Sequence, residues 1–355
     1  MTGKHDVLTE KSRRARETRD RIRKVLREQH AHVPRKVLDA RETLIRHYQT
    51  MRSQLHRTGN YDPLQCEAKI HRVELTVVIF PLNAFPWKAF TKLPGARLLD
   101  PERLWNQTYG LVRRVRCTGG IRELTVEYQR SSHWADPFRI TILPRHRAGL
   151  LFEDLNAVIQ LLPNFKIVLI EVAFDFPITS IVDVRFVQER ALFGRSWPRF
   201  VGINPLHDSW GTRKSQKFVR SYVRFETDSH RIELELHSRF LRQHRIDDIQ
   251  DFPRLVEILV SNHIQFAQLD RQRLIEQLRR NGLDSRERQN VVEQLQDREE
   301  DCLCGVLKYL RRRVKLKNVR RFLNPVVEIN QVIREASDKW ARTWPPTPEA
   351  LGEKQ

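Results

Sequence analysis

The chain has 355 residues, and 64 lysines and arginines against 44 acids leave it a formal charge of +20. Thirteen glycines and 17 prolines are too few for a collagen-like or low-complexity chain, and seven Trp with 17 Phe supply too much apolar surface for global disorder. No window approaches 18 consecutive apolar residues, so no membrane span is expected.

The first 20 residues lack the apolar stretch of a secretory signal. Four cysteines (66, 117, 302 and 304) form no disulfide framework, and the C-x-C pair Cys302 and Cys304 has no matching pair to complete a zinc site. These features predict a cytoplasmic protein. The length leaves room for two or three domains. The positive excess calls for an anionic partner, with nucleic acid, an anionic membrane or mere solubility as the choices.

In chain order, residues 11–57 come first. They carry 15 Lys and Arg against five acids. Apolar residues recur at three and four positions, and Pro34 divides the stretch into two predicted helices. We read residues 1–65 as a basic helical arm, either solvated or lying on phosphates.

From about 66 the period changes. Strands are predicted over 71–80, 122–129, 138–143, 166–176, 218–225 and 231–237. Helices are predicted near 101–115 and over 150–162 and 181–193, with a loop over 202–211. Residues 66–245 therefore read as an α+β domain. Its central antiparallel or mixed sheet falls in two similar halves, with helices on one face. The basic arm precedes it.

A helical C-terminal region, 246–355, follows. Helices are predicted over 255–266, 271–280, 285–314 and 326–340, with a frayed tail from Trp344. Residues 311–321 hold seven basic side chains and no acid.

Successive strand residues point to opposite faces. On that rule Arg72, Glu74 and Thr76 share a face, as do Glu171 and Asp175. Arg231, Glu233, Glu235 and His237 share one, and so do Phe218, Arg220, Tyr222 and Arg224. If these faces coincide, the sheet gathers carboxylates, a phenol and guanidiniums. Carboxylates at that density call for a cation, and hard divalent ions take oxygen ligands. A phenol can act as a nucleophile when nearby positive charge lowers its pKa. Solvated strand residues are the plain alternative.

The run Gly211-Thr212-Arg213-Lys214-Ser215-Gln216-Lys217-Phe218-Val219-Arg220-Ser221-Tyr222-Val223-Arg224 is followed by Arg231-Ile232-Glu233-Leu234-Glu235-Leu236. It resembles the core of the rolling-circle replication initiators of plasmids and filamentous phages, the Rep_trans or replication initiation factor family. Glu171 and Asp175 match the spacing of that family's acidic strand. Thr212 stands for the usual Ser, Arg224 for Lys and Glu171 for Asp. The resemblance covers about 70–245.

It implies site-specific nicking of one strand at a replication origin. Tyr222 becomes the nucleophile and stays joined to the 5′ phosphate. Glu171, Asp175 and Glu233 hold Mg²⁺ or Mn²⁺, with Glu74 and Glu235 as weaker candidates. Arg213, Lys214, Lys217, Arg220 and Arg224 contact DNA, joined by Arg311, Arg312 and Arg313 in the second basic cluster. Trp210 is a candidate for stacking on a base. The implied partners are single- and double-stranded origin DNA, a host helicase and polymerase in a bacterial cytoplasm, and a second copy of the chain. The chain has no phosphate-loop motif of its own. A DNA-binding protein without chemistry is the competing reading.

Overall fold

In a computed structural model the described residues are 35–78, 85–104, 109–130, 137–145, 149–193, 199–201, 206–211, 215–299 and 303–345. Thr212, Arg213, Lys214, Cys302 and the basic residues 11–34 lie outside them. The chain divides into two compact units, residues 1–61 with 202–206, and the remainder.

The smaller unit is described mainly as helix α1, Arg35–Thr58. Arg52 lies over the Tyr61 ring at 5.6 Å, and the Tyr61 hydroxyl is 2.7 Å from His56 Nδ1.

The larger unit is built on strands β1 (Glu67–Val77), β2 (Arg97–Leu98), β3 (Glu102–Arg103), β4 (Tyr109–Arg116), β5 (Ile121–Arg130), β6 (Phe138–Pro144), β7 (Phe165–Pro177), β8 (Ala191–Leu192), β9 (Arg199–Val201), β10 (His207–Trp210), β11 (Lys217–Arg224) and β12 (Ser229–His237). All but β8 join one antiparallel sheet in the order β2-β4-β5-β6-β1-β7-β12-β11-β10-β9, with β3 also on β4. The fold is α+β with a large antiparallel sheet, as the sequence predicts.

Its two halves repeat one plan. In each, a long first strand (β1 or β7) pairs with the last strand of a three-strand meander (β6 or β12). A helix follows each half, α3 (Phe152–Ile159) and α5 (Ser238–Gln243). The registers match as well. Arg139 on β6 stands between Thr76 and Glu127, as Arg231 on β12 stands between Asp175 and Tyr222. Two residues on, Thr141 matches Glu233 and Thr125 matches Arg220. The halves thus share an arginine and differ in the residues around it.

One face of the sheet is apolar and closes the main core. Ile70, Val73 and Leu75, Val172 and Phe174, and Ile232 and Leu234 are at most 1% exposed. Helices α6 (Phe252–Asn262) and α10 (Val327–Ala341) pack in this core through Phe252, Leu255, Leu259, Ile329 and Ile333. Pro253 sits in the first turn of α6, where its missing N–H costs nothing. A smaller core forms among α7 (Arg271–Arg280), α8 (Ser285–Glu299) and α9 (Leu303–Arg312), through Leu274, Leu278, Val291, Leu295, Val306 and Leu310. The Asp270 side chain caps α7, accepting from Arg273 N at 2.9 Å.

Several local expectations change. Among the described residues of the 101–115 patch, Glu102–Arg103 and those from Tyr109 on are strand, not helix, with Tyr109, Val112 and Val115 buried. The 202–211 loop contains β10. Helix α4 covers only Val184–Arg190, and β8 follows it. The predicted 255–266 helix ends at Asn262, before strand β13 (Gln265–Leu269), which pairs with β8 and β14 (Leu323–Pro325). The described residues of the 285–314 stretch hold two helices, α8 and α9. Trp344 is an anchor rather than the start of a frayed tail. It is buried against Phe152, Phe252 and Trp340, and its Nε1 donates to Ile249 O at 2.8 Å. Among the described residues no helix is long and apolar enough to cross a membrane.

Candidate active site

The second face of the sheet is polar, yet much of it is buried. The register aligns Glu171 with Glu235, Ala173 with Glu233 and Asp175 with Arg231, and it sets Arg220 beside Glu233 and Tyr222 beside Arg231. The acids of β7 and β12 therefore share one face with Tyr222. Glu171, Asp175, Glu233 and Glu235 are each at most 6% exposed, and Arg231 is fully buried.

The expected cation for these carboxylates is supplied in part by the chain itself. Arg231 grips Asp175 with two hydrogen bonds, Nε to Oδ1 at 2.6 Å and Nη2 to Oδ2 at 2.7 Å, and Lys69 Nζ stands 2.8 Å from Oδ2. Arg220 Nη2 donates to Glu171 at 2.5 Å and also to Glu233. Arg72 lies 3.0 Å from Glu171 and 3.2 Å from Glu235. Glu74 accepts from Arg139 Nε at 2.9 Å, and Glu235 is 3.0 Å from His237. Burial alone would raise the Asp175 pKa, but the hydrogen bond and charge of Arg231, then Lys69, hold it below the usual aspartate value.

His71 is a residue that sequence reasoning missed as a ligand. The register between β1 and β7 slips between Ile70 and Arg72, so His71 is an extra residue in a bulge. Its Nδ1 is buried without a hydrogen bond, 3.7 Å from Glu171 and 3.5 Å from Glu233. Ligand atoms of His71, Glu171 and Glu233 lie within 4.8 Å of one another. The donor set of one imidazole and two carboxylates, with an unpaired buried nitrogen among them, fits a divalent cation. Asp175 falls outside this group because Arg231 and Lys69 already occupy its oxygens.

Electrostatics at the group are perturbed. Burial, then the positive charge of Arg231, lowers the His71 pKa to about 4, so its ring is neutral and able to ligate at pH 7. Burial and the neighbouring Glu171 raise Glu233 to about 7. The Tyr222 hydroxyl donates to Glu233 Oε2 at 2.8 Å. Burial and that carboxylate hold the phenol well above its ordinary pKa, against the pull of Arg231 and Arg220. His207 on β10 stacks on the Tyr222 ring at 5.7 Å. Arg220 Nε and Arg231 Nη1 are further buried atoms without hydrogen-bond partners.

Other expected residues lie elsewhere. Lys217 does not face the polar side and is not available to a phosphate backbone. It is buried, its Nζ 2.7 Å from His263 Nδ1 and 5.5 Å from the centre of the Phe240 ring. Trp210 is 2% exposed and packs on Phe193 in the main core, so no base can stack on it. Arg224 is half-buried at the end of β11, on the Tyr222 face. Arg311, Arg312 and Arg313 are exposed at the end of α9, on the smaller helical core.

No family model and no curated sequence matches the chain. Among solved structures, a rolling circle replication initiator protein from Geobacillus stearothermophilus is similar to 57% of this chain and 87% of its own. The sequence identity is 14% and the TM-score 0.37. A likeness of that size carries no functional weight.

Proposed function

We propose that the chain initiates rolling-circle DNA replication by cutting one strand, with Tyr222 as nucleophile. The observation that carries this reading is the 2.8 Å hydrogen bond from Tyr222 to Glu233, the carboxylate that also stands 3.5 Å from the unpaired His71 Nδ1. It joins a nucleophile, a proton acceptor and a ligand set in one buried cluster.

In this reading Glu233, which accepts the phenol's hydrogen bond, takes its proton. The Tyr222 oxygen attacks phosphorus. The new O–P bond forms as the P–O3′ bond breaks, the 5′ phosphate stays on the tyrosine, and the 3′ oxygen leaves and takes a proton from water. Arg220, cross-linking Glu171 and Glu233, is placed to hold phosphate oxygens as the charge there grows. Mg²⁺ or Mn²⁺ on His71, Glu171 and Glu233 supplies further positive charge at the phosphate and favours the phenolate. The substrate is origin DNA, single-stranded at the cut, and the free 3′ end is extended by a host polymerase behind a host helicase in a bacterial cytoplasm.

One observation favours a second reading. Glu74, Glu171, Asp175 and Glu235 each have an arginine on the same face, and the phenol is held protonated. Such a network also suits a DNA-binding protein without chemistry.

The test uses supercoiled plasmid carrying the DNA that flanks the gene, in Mg²⁺ and then Mn²⁺. Nicked circles with protein on a 5′ end, absent with Tyr222→Phe, support the cutting reading. Binding without cutting in either metal, identical for both proteins, supports the second.

A further inference from the structure

The loop after α9 borders an open cavity of about 790 Å³. It is lined by Arg311, Lys315, Lys317, Asn318, Arg320 and Arg321 over a floor of Leu316 and Val319. Its volume lies within the roughly 300–1,000 Å³ of ligand sites. The five basic side chains are exposed, while Leu316 and Val319 are buried in the smaller core and fix the loop beneath them. Lys315 and Asn318 both adopt left-handed backbone, with φ of 57° and 52°, which costs energy outside glycine. The chain therefore accepts backbone strain to bend this loop around the cavity.

The helix dipole accounts for only part of the charge. Arg311 lies in the last turn of α9, where a cation offsets the negative end. Lys315, Lys317, Arg320 and Arg321 lie past it. No acid occurs between 311 and 321, and among the described residues Arg311, Lys315, Lys317 and Arg321 have no carboxylate partner. Like charges held together without acids repel, so the cluster points to an anionic ligand.

The ligand's class follows from what else is present. The cavity lining includes no aromatic ring, so unstacked bases find no platform. The apolar residues Leu303, Val306 and Leu310 of α9 are buried, so this helix offers no broad apolar face to a bilayer. Cations alone suit phosphates.

We infer that this cavity binds the phosphate backbone of duplex DNA without reading sequence. It is a DNA contact separate from the Tyr222 cluster, and it rests on the proposal that the chain acts on DNA but not on any cutting.

The experiment measures binding in EDTA, so a protein that never cuts still answers it. A fluorescent 20-base-pair duplex of arbitrary sequence and an oligo-dT strand of equal length are titrated between 50 and 200 mM salt. The variants are wild type and Lys315→Gln/Lys317→Gln/Arg321→Gln. Each lost duplex phosphate contact lowers the log–log salt slope by about 0.9. The triple variant is expected to lose two to three units of slope on duplex and less than about one on oligo-dT, where three shared contacts would lose about two. An unchanged duplex slope, a loss of about two units on oligo-dT, or tighter binding of a poly-glutamate peptide than of duplex overturns the inference. Should the variant unfold, wild-type protein decides. Duplex must then protect Lys315 and Lys317 from acetylation, and unprotected lysines overturn the inference.

Discussion

Arg231 holds both oxygens of Asp175 through two hydrogen bonds, in a guanidinium with no exposed surface. Lys69 completes the pair from the neighbouring strand. Removing one partner leaves a buried charge without compensation. Asp175→Ala is expected to cost about 3–5 kcal/mol in urea unfolding, whereas Asp175→Leu/Arg231→Met, both made in a Lys69→Met background so that no buried cation is stranded, recovers most of it. The Asp175 pKa lies lower in the folded than in the unfolded chain, so this stabilisation is complete above the ordinary aspartate value. It is lost as pH falls through the folded value. A loss as large in the double variant as in the single one contradicts the account.

The ligand set makes a sharp prediction for Mn²⁺ binding, read by calorimetry or by the ion's magnetic resonance. His71→Ala and Glu233→Gln are expected to lose it, and Asp175→Asn to keep it. Glu233 must shed its proton first, so affinity rises as pH passes upward through about 7. Binding that fails with Asp175→Asn in a folded protein returns that residue to the ligand set.

His263 gives a stability effect outside the His71, Glu171 and Glu233 group. Burial, then Lys217 and His244, lowers its pKa to about 4. The unfolded chain therefore binds the extra proton between about 4 and 6.5, and stability falls as pH drops through that window. His263→Gln keeps an acceptor for Lys217 and is expected to flatten that slope in urea midpoints. An identical slope removes His263 as the source.

Gly149 has φ +91°, and a Cβ there meets Ile70 O at 2.7 Å. This close approach lets Leu150 N donate to Ile70 O at 2.8 Å, one residue before the His71 bulge. Gly149→Ala is expected to lower the unfolding midpoint and weaken Mn²⁺ binding together. Weakened folding with unchanged Mn²⁺ affinity shows that the bulge holds itself.

Trp344 tests the end of the described chain. Trp344→Ala removes a ring packed on Phe152, Phe252 and Trp340, and is expected to cost about 3–5 kcal/mol. A frayed tail predicts nearly none.

Period-two alternation made much of this site legible. It placed Glu171, Asp175, Glu233, Arg220 and Tyr222 on common faces, because the opposite positions of β7 and β12 are apolar around them and those of β11 are apolar except for Ser221. It also implied that Lys217, one residue before Phe218, faces the core, an implication that the local run of positive charge obscured. What stayed hidden depends on pairing. A bulge has no signature in composition, so nothing marked His71 as a neighbour of Glu233. Short strands such as β10 and β13 carry too few residues for a period, and β4 mixes arginines with apolar residues in a pattern that also fits a helix. The arginines that answer the acids come from four strands, β1, β6, β11 and β12, and only the register brings them together.

The matched halves of the sheet bear on stoichiometry. The position that Tyr222 holds in one half is Glu127 in the other. A phenol esterified to DNA is spent until that bond is exchanged, and the repeat offers no spare. If cutting is the chemistry, one chain makes one covalent joint at a time. Closing a copied circle then requires either return of the joint to a new 3′ end or a second chain arriving with its own tyrosine.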